Sequence, residues 1–588
     1  MDKPLLDNVD EREFTDREKE FEFLWKLVEK IKNRRGASYA IISRKGVGKT
    51  ALLTSFYNTL FMTQKKVIPF YISFAEFKTD EQKMFKLKEF IEYYFRNLIS
   101  QYISFKLNSP LLLSVIKDYS IYELKEFAKL KELDGVDYLL ERYIHLWESK
   151  SYHNLLYFVI HFTNEFLGRQ DEYGLLIIDE FQVLTGIWDE EAERPRNITD
   201  IFQKTAEAKW CPMVVTGSAV HLISKTVFGG LLARRFNPFY LKPFSIEHSV
   251  EYAFKLSKID SIKIIDEVAI QIHQLTGGNP YYIWCIFNSY ALEDNNLSTL
   301  EKLEQVYTYE LNELGGKLRG FWDTHFDTYI ELINSSKIGL KALYHLAVSK
   351  DDVNVHDLSK HLDQNVVKVR KTLNNLVQSD LIQRKSGGIY DRITDTVLAD
   401  YVEREYKTDV LKKSLDEYLA EFSADLKRRQ GNLARLLGEN AELYTRHLLL
   451  NFKGQKIDSE KVFGVTGEKI RLPQFTRVEQ RQGLIIEGDI IEFDLIAEGT
   501  EQWLVEVKYW KKPVSIKDVE KFIEKVQKYE GWSVPPSKDR RLWFFSKYGF
   551  QEQAKKKLQT LGILHSDIHG FNLLCQAAGI GMLPIVVP

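Results

Sequence analysis

Three stretches of this 588-residue chain hold the residue types that phosphate and metal chemistry require. The first is Ser43-Arg44-Lys45-Gly46-Val47-Gly48-Lys49-Thr50. Small residues let backbone N–H groups wrap phosphate oxygens, a lysine meets the β/γ-phosphate charge, and a hydroxyl reaches Mg²⁺. A helix starting here would add the positive end of its dipole. Ser43 stands where the first glycine of this pattern usually is, which is tolerable only if Ser43 needs no glycine-only backbone angle. The second stretch is the apolar run Leu175–Ile178 followed by Asp179-Glu180. Asp179 at the end of a buried strand suits a water-mediated Mg²⁺ contact, and Glu180 suits orientation of an attacking water. The third is Asp494 with Glu506 and Lys508, twelve and fourteen residues on. Glu506 and Lys508 share one face of a strand, and a hairpin would bring Asp494 beside them. Two carboxylates can hold Mg²⁺ while a lysine stabilises the attacking water or the pentavalent phosphate.

Supporting groups are less specific. Met213-Val214-Val215-Thr216-Gly217-Ser218 ends an apolar strand in hydroxyls. Ser218 there suits a reader of the γ-phosphate, and equally an ordinary helix cap. Arg234-Arg235 offers Arg234 as an arginine finger from this chain or a neighbouring subunit, and equally a solvated pair. Glu442, in Gly438-Glu439-Asn440-Ala441-Glu442, adds a third carboxylate upstream of Asp494. Lys511-Lys512, Arg540-Arg541 and Lys555-Lys556-Lys557 could track a phosphate backbone, although each alone reads as a solvated face. Glu-x-Lys by itself also arises on any exposed strand of alternating charge.

The elements needed to position these groups are legible. A helix is expected over Arg17–Lys32 and strands over Tyr39–Ser43, Val67–Ser73, Leu175–Ile178 and Met213–Val215, with helical sequence over about 80–170. Strands alternating with helices imply a parallel α/β sheet. Residues 335–405 read as three helices and a short strand pair with a Gly-Gly turn, a winged-helix pattern. Its third helix, Val366–Leu376, carries Lys368, Arg370 and Lys371 off its apolar stripe and could enter a major groove while wing cations meet phosphate, although winged helices often serve only for packing or protein contact. A helix over 432–452, strands between 460 and 510, a helix at 515–530, a strand at 541–546 and a helix at 551–560 form a second α/β unit. The apolar tail Leu583–Pro588 reads as a buried last strand. The resulting division is 1–245 nucleotide-binding core, 246–334 helical lid, 335–405 winged helix, 406–430 helical linker and 431–588 last domain.

Composition bounds the partners. The chain is 44% hydrophobic and 28% charged, ordinary for folded domains, with a formal net charge of −2 that gives no global nucleic-acid signal. Any DNA contact must come from local patches. Cys211, Cys285 and Cys575 form no CxxC pair, which argues against a zinc or disulfide framework. Met1-Asp2-Lys3-Pro4 opens no apolar run, and no stretch reaches membrane-spanning length, so a cytoplasmic setting is expected.

Phe14-Thr15-Asp16-Arg17-Glu18, Asp179-Glu180, Gly217-Ser218, Ala233-Arg234-Arg235 and Gly277-Gly278-Asn279-Pro280-Tyr281 follow in an order that resembles the archaeal-type ATPases. These are relatives of the STAND signalling ATPases and, more distantly, of origin-recognition AAA+ proteins. The resemblance spans roughly residues 10–405 and implies ATP and Mg²⁺ as ligands, with Arg17 and Pro280 flanking the nucleotide. Ser43 and Ala233, each where glycine is usual, put the hydrolysis rate in question. The set Asp494, Glu506 and Lys508 with Glu442 resembles the PD-(D/E)xK nucleases over roughly 430–570, with Phe493 in place of the leading proline. That resemblance implies a restriction-endonuclease-like domain using Mg²⁺ or Mn²⁺. Together they describe an ATP-regulated DNA nuclease, self-associating through its ATPase core, suited to defence against foreign DNA or to mobile-element maintenance. The alternative is an ATP-dependent switch that binds DNA or a protein and does not cut.

Overall fold

The computed structural model describes residues 6, 12–77, 85–217, 223, 226–330, 336–379, 381–465, 469–486, 489–509, 512–532 and 539–579. Two compact units, Met1–Leu419 and Ala420–Pro588, divide the chain.

The first unit is built on five strands, four of which carry apolar runs buried on both sides, as parallel sheets covered by helices require. They are β1 (Ser38–Ile42), β2 (Val67–Ser73), β3 (Tyr173–Asp179), β4 (Met213–Gly217) and β5 (Phe236–Tyr240), in the order β2-β3-β4-β1-β5. Every pairing is parallel. β4 therefore lies between the strand that feeds the glycine-rich loop and the strand that ends in Asp179. The parallel arrangement brings all their C-terminal ends to one edge, where ligands of open α/β sheets bind. Helices α1 (Glu18–Lys32) and α2 (Lys49–Thr63) pack on this sheet through Leu24, Leu27, Val28 and Ile31, and through Leu52, Leu53 and Phe56. β5 is not evident in the sequence, because Asn237 and Pro238 interrupt it and most of it is exposed, as suits an edge strand.

Helices from Leu87–Lys106 to Tyr152–Arg169 fill the insertion between β2 and β3, as their spacing predicts. Helices from Ile246–Ile259 to Lys317–Ile330 follow the sheet. The next segment has helices Ser336–Val348, Val355–Leu362 and α3 (Val366–Gln378). The Gly387-Gly388 turn has positive φ at both residues, but the strand beyond it, Ile389–Tyr390, pairs chiefly with Val353–Asn354. The expected local hairpin is reduced to a single bridge, Arg384 to Tyr390. Tyr307 Oη donates to Asp400 Oδ2 at 2.8 Å and Tyr401 Oη to Asp323 Oδ1 at 2.7 Å, fastening the segment after the small ribbon to the preceding helices.

The expected linker and the helix after it form one 36-residue helix, α4 (Leu415–Leu450). In the second unit, β6 (Phe475–Ile486), β7 (Asp489–Gly499), β8 (Gln502–Lys508), β9 (Arg540–Ser546) and β10 (Leu564–Ser566) follow in order across a mixed sheet. The β6-β7-β8 pairings are antiparallel and the β8-β9-β10 pairings parallel. Alternation along β8 and β9 sends Trp503, Val505, Trp543 and Phe545 to one core and Leu504 and Phe544 to another, so the sheet is covered on both faces. Helix α5 (Ile516–Trp532) covers the second face through Val519, Phe522 and Val526. The apolar tail Leu583–Pro588 lies outside the described residues.

Candidate functional site

The glycine-rich loop is held from outside by residues far away in sequence. Gly46 and Gly48 have φ of 81° and 92°, a region that side chains rarely enter. Ser43 is not among the positive-φ residues, so serine meets the condition placed on that position. A Cβ on Gly46 would lie 2.8 Å from Asn279 Oδ1, whereas one on Gly48 would meet nothing within 4 Å. Asn279 Nδ2 donates to Lys45 O at 3.2 Å and Tyr281 N to Gly46 O at 3.3 Å. The Gly278-Asn279-Pro280 turn thus braces the loop, with Pro280 as first residue of its helix. Arg17 is buried and donates to Val47 O at 2.8 Å and Lys242 O at 3.0 Å. Burial pulls its pKa down, against the opposing pull of Glu20 and Asp16. Arg17 and Pro280 therefore support the backbone that would hold a phosphate. Arg44 Nη1 lies 3.8 Å from Asp395 Oδ2, and Lys45 Nζ sits 5.0 Å from the centre of the Phe321 ring.

Inside the loop, Lys49 Nζ donates to Ser43 O, Ser43 Oγ and Arg44 O at 3.1–3.2 Å. Thr50 Oγ1 donates to Asp179 Oδ2 at 2.7 Å. Thr216, at the end of β4, donates to Asp179 Oδ1, which also accepts from Glu180 N at 3.1 Å. Two hydroxyls and a backbone N–H thus fix the Asp179 carboxylate beside the Thr50 hydroxyl, the pair expected to hold Mg²⁺. Glu180 is buried in a left-handed conformation, φ 57°, and accepts from Gln182 Nε2 at 2.5 Å. A Cβ on Gly217 would lie 2.1 Å from Gln182 Oε1, so glycine there makes room for that glutamine. Ser218 falls outside the described residues; Thr216, two positions earlier, is the hydroxyl that reaches Asp179. Arg234 is exposed with φ 68°, while Arg235 pairs with Glu207 at 2.9 Å. Open loop space over Gly48, Lys49 at the loop's centre and the Thr50–Asp179 pair fit a magnesium-bound nucleoside triphosphate.

In the second unit β7 pairs with β8 from Leu495↔Val505 to Glu498↔Gln502 and leaves it at Asp494. The apolar side chains of β7 change face there: Ile491 and Phe493 enter one core, Leu495 and Ala497 the other. The break releases the Asp494 carboxylate toward the end of β8, where it accepts from Val507 N at 2.7 Å. Lys508 Nζ lies 2.6 Å from Glu506 Oε1 and 3.5 Å from Asp494 Oδ2. Burial, then the Glu506 charge, push the Asp494 carboxyl up to about 6. For Lys508, burial pulls down, but Glu506 and Asp494 prevail and raise it. Lys525 on α5 also lies 3.2 Å from each Glu506 oxygen. Glu442 is buried and accepts from Gln480 Nε2 at 2.9 Å.

Glu442, Asp494 and Glu506 share one electrostatic neighbourhood, since the Glu442 charge also raises the Asp494 carboxyl. Among the described residues, the group of three candidate ligands whose atoms all lie within 4.8 Å of one another is Asp16, Glu18 and His248, not Glu442, Asp494 and Glu506. Both Glu506 and, more weakly, Glu442 raise the Asp494 carboxyl through their charge. Gln182, Gln480 and Lys525 carry no signal in the sequence, whereas Asn279 lies in the Gly278-Asn279-Pro280 turn, whose pattern is legible. Arg540 and Arg541 are committed to Gln502 and Glu501, whereas Lys555, Lys556 and Lys557 are exposed and Lys511 lies outside the described residues. In α3, Val369, Leu373 and Leu376 are buried and Lys368, Arg370 and Lys371 exposed, while the wing's Lys385 pairs with Asp352 and Asp391. Among the described residues no helix is long and apolar enough to cross a membrane.

A loop of this geometry, one hydroxyl-bearing strand away from a carboxylate strand, defines a P-loop nucleotide-binding core. Residues 14–286 match the family described as an ATPase domain predominantly from Archaea, so the first unit carries an archaeal-type ATPase domain. No curated protein matches the chain in sequence. Among solved structures it is similar to the Walker-type ATPase paby2304 of Pyrococcus abyssi, at 16% identity over 68% of this chain and 99% of that one, TM-score 0.44. It is also similar to the ORC2 protein of Aeropyrum pernix, at 13% identity, 69% and 98% coverage and TM-score 0.39. A third is the RuvB Holliday junction branch migration motor of Thermotoga maritima, at 12%, 68% and 96%, TM-score 0.32. At that level of overlap the neighbours fix neither partner nor substrate.

Proposed function

We propose that this chain is an ATP-regulated DNA nuclease. In this reading ATP and Mg²⁺ occupy Ser43–Thr50, Asp179 and Thr50 hold the ion, and Glu180 orients the attacking water. Mg²⁺ supplies charge neutralisation at the phosphates. Residues 335–405 act as a winged helix whose exposed Lys368, Arg370 and Lys371 meet DNA. In the second unit, Asp494 and Glu506 bind a divalent cation, Mg²⁺ or Mn²⁺, and Lys508 stabilises charge on the scissile phosphate.

The observation that carries the cutting step is the pair of crowded carboxylates with one lysine between them, Lys508 at 2.6 and 3.5 Å. Burial and mutual repulsion raise Asp494, which marks a site that gains from an added cation. Incubating the full chain with duplex, branched and single-stranded DNA, with Mg²⁺ or Mn²⁺ and with or without ATP, tests it. Cleavage lost in Asp494→Ala supports the reading, and no cleavage in any arm overturns it. A second reading, an ATP-dependent switch with a non-cutting last domain, draws on the two lysines already paired with Glu506. No cleavage together with ATP-dependent DNA retention would establish that switch.

A further inference from the structure

Lys525 has no part in the arrangement the sequence implies, yet it reaches both oxygens of Glu506. Its helix is anchored by Val519, Phe522 and Val526 in the core beneath the sheet, which fixes where its side chain emerges. From there the ammonium sits equidistant from both Glu506 oxygens, 3.2 Å from each, while Lys508 takes Oε1 at 2.6 Å. The Glu506 side chain is only 5% exposed, whereas that of Lys525 is 35% exposed. One partner is therefore fixed in the protein and the other can leave toward solvent.

A divalent ion on Glu506 would bind these oxygens at about 2.0–2.6 Å. It would then stand within a few ångströms of the Lys525 ammonium, where like charges at low dielectric repel strongly. The two cations compete for one carboxylate. An ammonium at the mouth of the site, on a flexible four-carbon stem, has a natural second anion in a nucleic-acid phosphate.

We propose that Lys525 is a resident cation that holds Glu506 against divalent metal until a DNA phosphate draws its ammonium away, so that metal and DNA enter together. This rests on the reading of Asp494 and Glu506 as a metal site, and it adds that uptake of the ion is coupled to substrate. Lys525 is a positioning and gating residue; Lys508 remains the cation at the reacting phosphate.

The test is Mn²⁺ binding to the full chain without nucleotide, followed by the electron paramagnetic resonance of free Mn²⁺, with and without a short DNA duplex. Glu506→Ala defines the fraction bound at this site. In the wild type this fraction should be weak alone and tighten with DNA. Lys525→Gln should bind Mn²⁺ about tenfold tighter without DNA, a change of one decade in Kd, and should lose most of the DNA enhancement. Lys525→Arg should behave as wild type, and unchanged thermal melting would show that the variants fold. Wild-type Mn²⁺ affinity in Lys525→Gln, with binding still lost in Glu506→Ala, would overturn the role of Lys525 alone. Mn²⁺ binding indifferent to Glu506→Ala would overturn the metal site and this inference with it.

Discussion

The phosphate loop and the Asp494–Glu506 cluster neutralise their charges in opposite ways. In the loop, Lys49 rests on backbone carbonyls and a serine hydroxyl, and Asp179 rests on two hydroxyls and an N–H. These contacts are made to neutral dipoles, a kind of preorganisation that suits an incoming anion. In the second unit the carboxylates are answered by lysines, Lys508 and Lys525, and the charges cancel internally. A site of the first kind can bind ligand by adding to what is there, whereas one of the second kind must exchange partners. The contrast also locates rigidity: Arg17 and Asn279 brace the loop from two other segments, while the cluster depends on the ends of long side chains.

The sharpest break in this comparison would come from the cluster. Asp494→Ala and Glu506→Ala should each reduce metal-dependent DNA cleavage by about a thousandfold or more, because losing either oxygen ligand removes several kcal/mol of charge stabilisation. ATP affinity should stay unchanged, and an equal loss of ATP binding would show that the variants fail to fold. Lys49→Ala should weaken ATP binding by about a hundredfold, the loss of charge-assisted bonds worth roughly 3 kcal/mol. A fluorescent nucleotide titration giving wild-type affinity would remove the loop from the site. Glu180→Gln should leave nucleotide affinity intact and slow turnover by about a hundredfold, since the amide cannot orient or accept from water as the carboxylate does. A steady-state phosphate-release assay showing no change would assign the role elsewhere.

The smallest effect separates the two kinds of site by pH. The folded-state pKa of Asp494 is raised to about 6 by burial and by Glu506. Its contribution to stability is present below the unfolded value near 4 and is lost as pH rises through about 6. Above that, ionised Asp494 costs stability, so Asp494→Asn should stabilise the second unit by about 1–2 kcal/mol at pH 8. The gain should vanish by pH 4. Thermal melts of variant and wild type at the two pH values check this, and a variant less stable at pH 8 would mean that the Lys508 pairing outweighs the burial.

The sequence by itself determined every group whose function depends on local order along the chain. Ser43–Thr50 is a loop because glycine angles and the following helix are properties of consecutive residues, and Glu506 and Lys508 share a face because a strand alternates. Asp179 and Glu180 follow from a buried strand that ends. What the tertiary structure decided is everything that reaches across. Strand order put Thr216 beside Asp179 and inserted β5, whose Asn237 and Pro238 hide it from pattern reading. The Asn279 and Arg17 braces join segments more than two hundred residues apart. Helix α5 delivered Lys525 to Glu506 through the packing of Val519, Phe522 and Val526, a placement with no trace in the spacing of either residue. Glu442, legible as a third carboxylate, takes a hydrogen bond from Gln480 on β6, a partner set by strand packing. Local backbone geometry is written in neighbouring residues, whereas the partner of a charged side chain is set by which elements pack together, and that is fixed only when the whole core closes.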